Sequence, residues 1–196
     1  MTQPDRIIGV EKRKLRQAML ARRRGLAMAM AATEPSVARH YADHPILAFA
    51  PSIAGYIAIQ GELDVLPVFA QMQRFNKITA LPCITESGEL QFRQWAKGDP
   101  LIRHPKLGVQ EPASTAPTVI PAVVLVPLLA FDGDGYRLGY GAGYYDRTIE
   151  QMRQFTTPPL FIGVAHSQQE VDAVPTEPHD ARLDGILTEL GVSMFA

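Results

Sequence analysis

The chain has 196 residues with 19 Lys+Arg against 20 Asp+Glu, a formal net charge of −1, and 46% hydrophobic and 20% charged residues. These are the proportions of one ordinary globular domain, long enough to bury about 70% of its unfolded surface without a metal or disulfide staple. A single cysteine, Cys83, excludes an internal disulfide and a thiolate metal cluster. The near-neutral charge argues against a general nucleic-acid binder. The longest apolar run, Val119 to Phe131, is interrupted by Pro121 and Pro127 and is too short for a membrane span. The first residues lack the apolar core of a signal peptide, so the expected location is the cytoplasm.

Taken in chain order, the apolar residues Ile8, Leu15, Met19, Leu26 and Met30 fall at helical spacings, predicting a long amphipathic helix from Asp5 to Ala32. Met1 to Arg24 carries eight basic residues opposed only by Asp5 and Glu11. Of these, Lys12, Arg16 and Arg23 project within about 40° of one another around a helix. They are either a strip that reaches a common anion or a solvated basic face. A second helix is expected from a Thr33 cap to about Phe49. Its His40 and His44 are read as structural or surface residues, because Pro45 ends the turn and no zinc-protease Glu intervenes.

The pattern then predicts a strand at Ser52–Ile59, a helix at Val65–Phe75 and strands at Lys77–Pro82 and Leu90–Gln94. A Pro-rich loop follows from Pro105 to Pro121, then an apolar strand at Ala122–Val126. A turn at Asp132–Gly135 precedes a glycine loop and a helix from Tyr144 to Phe155, and Leu160–Val164 and Gly185–Thr188 complete the strands. Alternating strands and helices, with several uniformly apolar strands, indicate a single α/β domain. Its expected architecture is a three-layer α/β/α, Rossmann-like arrangement around a mostly parallel sheet.

The segment richest in chemistry is Arg137-Leu138-Gly139-Tyr140-Gly141-Ala142-Gly143-Tyr144-Tyr145-Asp146. Three alternating glycines allow successive backbone N–H groups to turn inward as an anion nest, and the following helix presents its positive end to the same point. Arg137 adds a full charge. Asp146 is misplaced beside bare phosphate but is sensible as a ligand of a Mg2+ bridging to that phosphate. The spacing fits neither a Walker loop nor a dinucleotide fingerprint, and Tyr136 and Arg137 exclude an EF-hand. A tight strand–helix turn would account for one or two of these glycines only.

Near the C-terminus, Glu177, His179, Asp180 and Asp184 form an acidic region. Asp180 can reach the carboxyl edge of the sheet and act as a second hard oxygen ligand, although a local turn also accounts for His179-Asp180. In Gly61-Glu62-Leu63-Asp64, Asp64 reads as a helix cap and Glu62 as an outward-pointing recognition carboxylate. Phe92 and Trp95 suit either an aromatic wall or, more commonly, the core.

Five segments together resemble the 5-formyltetrahydrofolate cyclo-ligase family over nearly the whole chain. They are Lys12-x-x-Leu15-Arg16, Gly61-Glu62-Leu63-Asp64, Val126-Pro127-x-x-Ala130-Phe131-Asp132, the glycine segment Arg137 to Asp146, and His179-Asp180 followed by Asp184. The resemblance implies ATP- and Mg2+-dependent conversion of 5-formyltetrahydrofolate to 5,10-methenyltetrahydrofolate, with ADP and phosphate released, by a monomer that binds neither nucleic acid nor membrane. It implies ATP contacts from Lys12, Arg13, Lys14, Leu15 and Arg16 and from Arg137 through Leu138, Gly139, Tyr140, Gly141, Ala142, Gly143, Tyr144 and Tyr145. Arg137 and Tyr145 would be catalytic, and Asp146 and Asp180 would hold Mg2+. Ile57 and Glu62 would line the folate side, together with Tyr140 to Tyr144. Some members carry Arg and Lys where this chain has Tyr140 and Ala142. Either Lys12, Arg16, Arg137 and the metal suffice, or turnover is slower, or the substrate differs. The other readings are ATP-dependent activation of another small formamide or carboxylate, and a non-catalytic folate- or nucleotide-binding protein.

Overall fold

A computed structural model describes residues 3–29, 34–105 and 108–196, with side chains described for 6–26, 36–105 and 108–196. The expected end of the first helix at Met30 to Ala32 and the Thr33 cap of the second lie outside the described residues.

Helix α1 (Gln3–Ala29) buries Met19 and Leu26, two residues of the sequence's apolar stripe. Helix α2 (Glu34–Asp43) stops before Pro45, and a separate 3-10 turn (Leu47–Phe49) follows, where one continuous helix was expected. Proline cannot continue the backbone ladder, and the chain restarts after it. His40 bonds the Glu189 carbonyl and His44 accepts from the Leu47 amide, so both histidines are structural.

Strand β1 (Ser52–Ala54) is shorter than expected because the chain leaves the sheet after Ala54 and turns toward Glu62. Helix α3 (Leu66–Arg74), with Asp64 accepting from the Leu66 amide, leads into β2 (Ile78–Ile84) and β3 (Leu90–Gln94). The segment expected as loop contains β5 (Gln110–Pro112), paired with β4 (Leu101–Arg103), and β6 (Thr118–Val119), which pairs with β3. Next come β7 (Val123–Pro127), a hairpin of β8 (Ala130–Phe131) and β9 (Arg137–Leu138), and α4 (Tyr144–Met152). Strands β10 (Leu160–Val164) and β11 (Gly185–Thr188) match expectation, while an edge strand β12 (Gly191–Met194) had no apolar signal.

The main sheet has eight strands in the order β12-β11-β10-β7-β1-β2-β3-β6. The five consecutive strands β11, β10, β7, β1 and β2 pair in parallel, and β12 and β3 flank them antiparallel. Side chains alternate between two cores. Ile53, Leu81, Leu125, Ile162 and Leu187 face α2 and α3, whereas Ala54, Ala80, Val124, Val126, Phe161 and Ile186 face Ile149 and Met152 of α4. This is the period-two pattern of a sheet covered on both faces, and Phe92 and Trp95 lie in these cores rather than in a substrate wall.

Strand β1 proceeds to β2 on one side, and its other neighbour β7 proceeds to β10 on the opposite side. The chain therefore reverses its winding between β1 and β7, and α/β sheets bind ligands outside the carboxyl ends of strands at such a reversal.

The sheet is tight at Gly163 in β10, where an added Cβ would lie 2.7 Å from Leu128, 2.8 Å from Ile186 and 2.8 Å from Leu183. Gly163→Ala should lower stability by about 1–3 kcal/mol through overpacking, measured as a reduced urea midpoint at constant m-value. An unchanged midpoint would contradict this packing.

Candidate active site

At the end of β7, Pro127 borders a cavity of about 210 Å³ whose wall is residues 137 to 146. Lys12 and Arg16 of α1 close one side, and Glu177, His179 and Asp180 close another. The loop bends where the sequence places glycine. Gly141 and Gly143 have φ of +99° and +69°, conformations that a side chain would strain. At Gly139 a Cβ would meet nothing within 4 Å, so the backbone there faces open space. Gly143 caps α4 without any side-chain bond, so the helix's first amides are not spent on a cap.

Each buried cation is matched. The Lys12 ammonium, 8% exposed, lies 2.7 Å from Glu177 Oε2 and 2.5 Å from Asp180 Oδ2. Arg137 donates to Asp146 Oδ1 at 2.7 Å and to the Ala181 carbonyl at 2.6 Å. Burial draws Arg137 below the ordinary guanidinium value, while Asp146 and Asp180 oppose that shift. Arg16 is only half-buried and donates to the Gly139 carbonyl at 2.9 Å, and its guanidinium lies 3.2 Å from where a Cβ of Gly141 would stand. Arg147 fastens the far end of the loop, donating to the carbonyls of Ala142 and of Gly88 in the β2–β3 turn.

Arg23 does not join Lys12 and Arg16. It shares their side of the helix, but eleven residues separate it from Lys12, about 16 Å along the axis at 1.5 Å per residue. It is fully buried and donates to the Gln60 and Leu128 carbonyls at 3.2 Å each and to the Tyr140 hydroxyl, with Glu62 Oε1 at 3.6 Å. Arg13 and Lys14 are exposed and stand outside the cavity lining, and Leu15 packs on the cluster of Met19, Leu129 and Leu138. Five consecutive helical residues span more than a full turn, so they cannot all face one site.

Leu138 is buried and lines the cavity beside Tyr140, Ala142, Tyr144 and Tyr145. Tyr145 packs on the α4-side core, and burial pushes its phenol well above the ordinary value. Ile57 and Glu62 are not among the residues lining the cavity: Ile57 packs against the other core, and Glu62 lies behind the glycine loop. The Glu62 side chain is 4% exposed. Burial raises its pKa, against hydrogen bonds from Tyr140 and the Ile59 amide and the charge of Arg23.

Asp146 and Asp180, the expected metal ligands, line the same cavity. The tightest ligand-type cluster among the described residues is a different set, Glu177, His179 and Asp180, whose ligand atoms lie within 4.8 Å of one another. The oxygens fit a hard cation. Both bonds to Asp146, from Arg137 and the Ala181 amide, fall on Oδ1. Those to Asp180, from Lys12 and the Glu177 amide, fall on Oδ2. A cation, the Lys12 ammonium, already sits between Glu177 and Asp180. Sequence reasoning did not single out Glu177 as a wall residue or Arg23 as a partner of Glu62. The available signals were an acid three residues before Asp180 and a cation midway between Met19 and Leu26 on the buried stripe. Asp184 is structural, accepting from the Phe161 amide and pairing with Arg153.

The sequence model of the 5-formyltetrahydrofolate cyclo-ligase family matches residues 8–189. The chain is 33% identical over 151 residues to the 5-formyltetrahydrofolate cyclo-ligase of Escherichia coli K12, covering 74% of this chain and 81% of that one. It is 30% identical over 192 residues to the Haemophilus influenzae enzyme of the same name, covering 95% and 98%. Its fold is similar to that of the Aquifex aeolicus 5,10-methenyltetrahydrofolate synthetase, with a TM-score of 0.78, 29% identity and coverage of 93% and 92%. The Mycoplasma pneumoniae 5,10-methenyltetrahydrofolate synthetase gives a TM-score of 0.70 at 25% identity, covering 91% and 98%. With the match spanning nearly every element that builds the cavity, the chain belongs to the 5-formyltetrahydrofolate cyclo-ligase family and is an enzyme.

Proposed function

We propose that the protein converts 5-formyltetrahydrofolate to 5,10-methenyltetrahydrofolate with ATP and Mg2+, releasing ADP and phosphate, as a cytoplasmic monomer. The observation that carries this reading is the charge balance of the cavity: Lys12, Arg16 and Arg137 face Asp146, Glu177 and Asp180 around a glycine loop. A site for a bare polyphosphate would need cations alone. Equal numbers of both signs suit a polyanion that arrives with a divalent cation.

A formamide oxygen is a poor leaving group, and N10 of the folate is a modest nucleophile. Transfer of the terminal phosphoryl group of ATP to the formyl oxygen makes that oxygen a leaving group. N10 then attacks the same carbon and gives up its proton to water or to the departing phosphate, closing the ring as the C–O bond breaks and phosphate leaves. The protein's part is alignment and charge neutralisation. The amides of the glycine loop and the first turn of α4 cradle the phosphates, with Arg16 and Lys12 beside them. Arg137, fixed by Asp146 and the Ala181 carbonyl, meets the transferred group, and Tyr145 packs alongside. Asp146 and Asp180 would hold Mg2+, which neutralises phosphate charge when bound. Glu62 and Ile57 take the folate.

Purified protein supplied with 5-formyltetrahydrofolate, Mg2+ and ATP should develop the near-ultraviolet absorbance of the methenyl product and should develop none without ATP. Folate binding with no turnover would overturn the reading. Asp146→Asn should lower kcat on the order of 100-fold and raise the Mg2+ concentration needed for half-maximal rate. Asn can still accept from Arg137, so the fold should persist, and wild-type rates at low Mg2+ would refute the ligand role. Arg16→Ala should raise KM for ATP about tenfold while leaving KM for the folate within a factor of about two. Steady-state kinetics in both substrates tests this, and equal changes in the two constants would count against Arg16 as a phosphate contact.

A further inference from the structure

The carboxylate assigned to the folate is closed off. Glu62 is 4% exposed at its side chain, its Oε1 accepts from the Tyr140 hydroxyl at 2.6 Å, and its Oε2 accepts from the Ile59 amide at 2.9 Å. The cation beside it is Arg23, fully buried and anchored to two backbone carbonyls. Of Arg23 and Tyr140, only Tyr140 reaches the surface. It is 41% exposed and sits in the glycine loop, where Gly141 and Ala142 are also exposed. Its ring stacks 5.5 Å from the Arg23 guanidinium, and its hydroxyl bridges Arg23 to Glu62. Tyr140 is pushed up to about 12 by burial and by Glu62, so the hydroxyl keeps its proton and remains a donor at physiological pH.

We infer that Tyr140 is an internal ligand of Glu62 that the folate must displace, so that occupation of the Glu62 subsite and the position of the glycine loop are coupled. The inference rests on the reading of Glu62 as the folate carboxylate. The donors of a folate ring need the oxygen that the phenol now occupies. When the phenol leaves, Arg23 and the Ile59 amide stay behind and keep the buried carboxylate compensated, so the exchange does not strand a charge. Gly139 and Gly141, on either side of Tyr140, wall the cavity, so a shift of the loop that carries Tyr140 off Glu62 also moves that wall. A nucleotide that draws the loop toward itself therefore uncovers Glu62, and by linkage the folate favours the nucleotide equally.

Equilibrium binding of 5-formyltetrahydrofolate, measured calorimetrically with and without ADP and Mg2+, tests the coupling. In the unmodified protein ADP should tighten folate binding several-fold. Tyr140→Phe keeps the ring but removes the latch, because a phenyl group cannot satisfy the carboxylate it covers. It should bind folate about tenfold more tightly without nucleotide, bind ADP alone several-fold more tightly because the same latch no longer has to be broken, and lose most of the ADP effect. Unchanged or weaker folate binding in Tyr140→Phe, or no ADP effect in the unmodified protein, would overturn the coupling. Weaker binding of both ligands would show a plain structural anchor and would also overturn it. Glu62→Gln separates the two levels: it should weaken folate and spare ADP. If folate affinity is untouched there, the assignment of Glu62 itself fails, whatever Tyr140→Phe does.

Discussion

A cation taken out of water is tolerated only where protein groups replace its hydration, and this enzyme meets that constraint three times around one loop. Lys12, Arg23 and Arg137 are each less than one-tenth exposed, and each is held by acid groups from a different part of the chain. Lys12 joins α1 to the segment after β10, Arg23 joins α1 to the turn after β1, and Arg137 joins β9 to α4. The walls of the cavity are thus brought together by the requirement that these charges be paired. The same groups that hold the segments together are the ones that the proposed reaction would use.

The sheet makes that assembly possible. Its reversal between β1 and β7 brings the glycine segment, the Gln60–Glu62 turn and the acidic stretch at Glu177–Asp180 to one edge from distant parts of the sequence. Helix α1 then serves both halves of the site. Two of its turns face the cavity with Lys12 and Arg16, and a later turn reaches Tyr140 and Glu62 with Arg23. Tyr140 draws on the charge of Arg23 rather than bringing its own.

Much of this was legible in the sequence because local rules and tertiary demands agree. The apolar runs at Leu160–Val164 and Gly185–Thr188 are strands because both of their faces are covered, and the alternating glycines bend where positive φ is required. The misses have physical causes. Strands β5, β6 and β12 are short or polar, set by pairing with a neighbour rather than by any pattern of their own. The spread of Lys12, Arg16 and Arg23 was read from angle alone, whereas rise along the helix decides which cations can meet. Glu62 stood out as a turn carboxylate, but nothing in its neighbourhood in sequence announces that Arg23 and Tyr140 would enclose it.

The clamp made by Arg147 extends the site's influence outward. Its guanidinium ties the Ala142 carbonyl to that of Gly88, at the tip of a surface hairpin. Hairpin tips are ordinarily where a fold accepts extra residues without complaint. Here a lengthened tip would carry Gly88 away from its tether and drag on the glycine loop, so an outwardly dispensable bend has its length dictated by the cavity on the far side of the arginine.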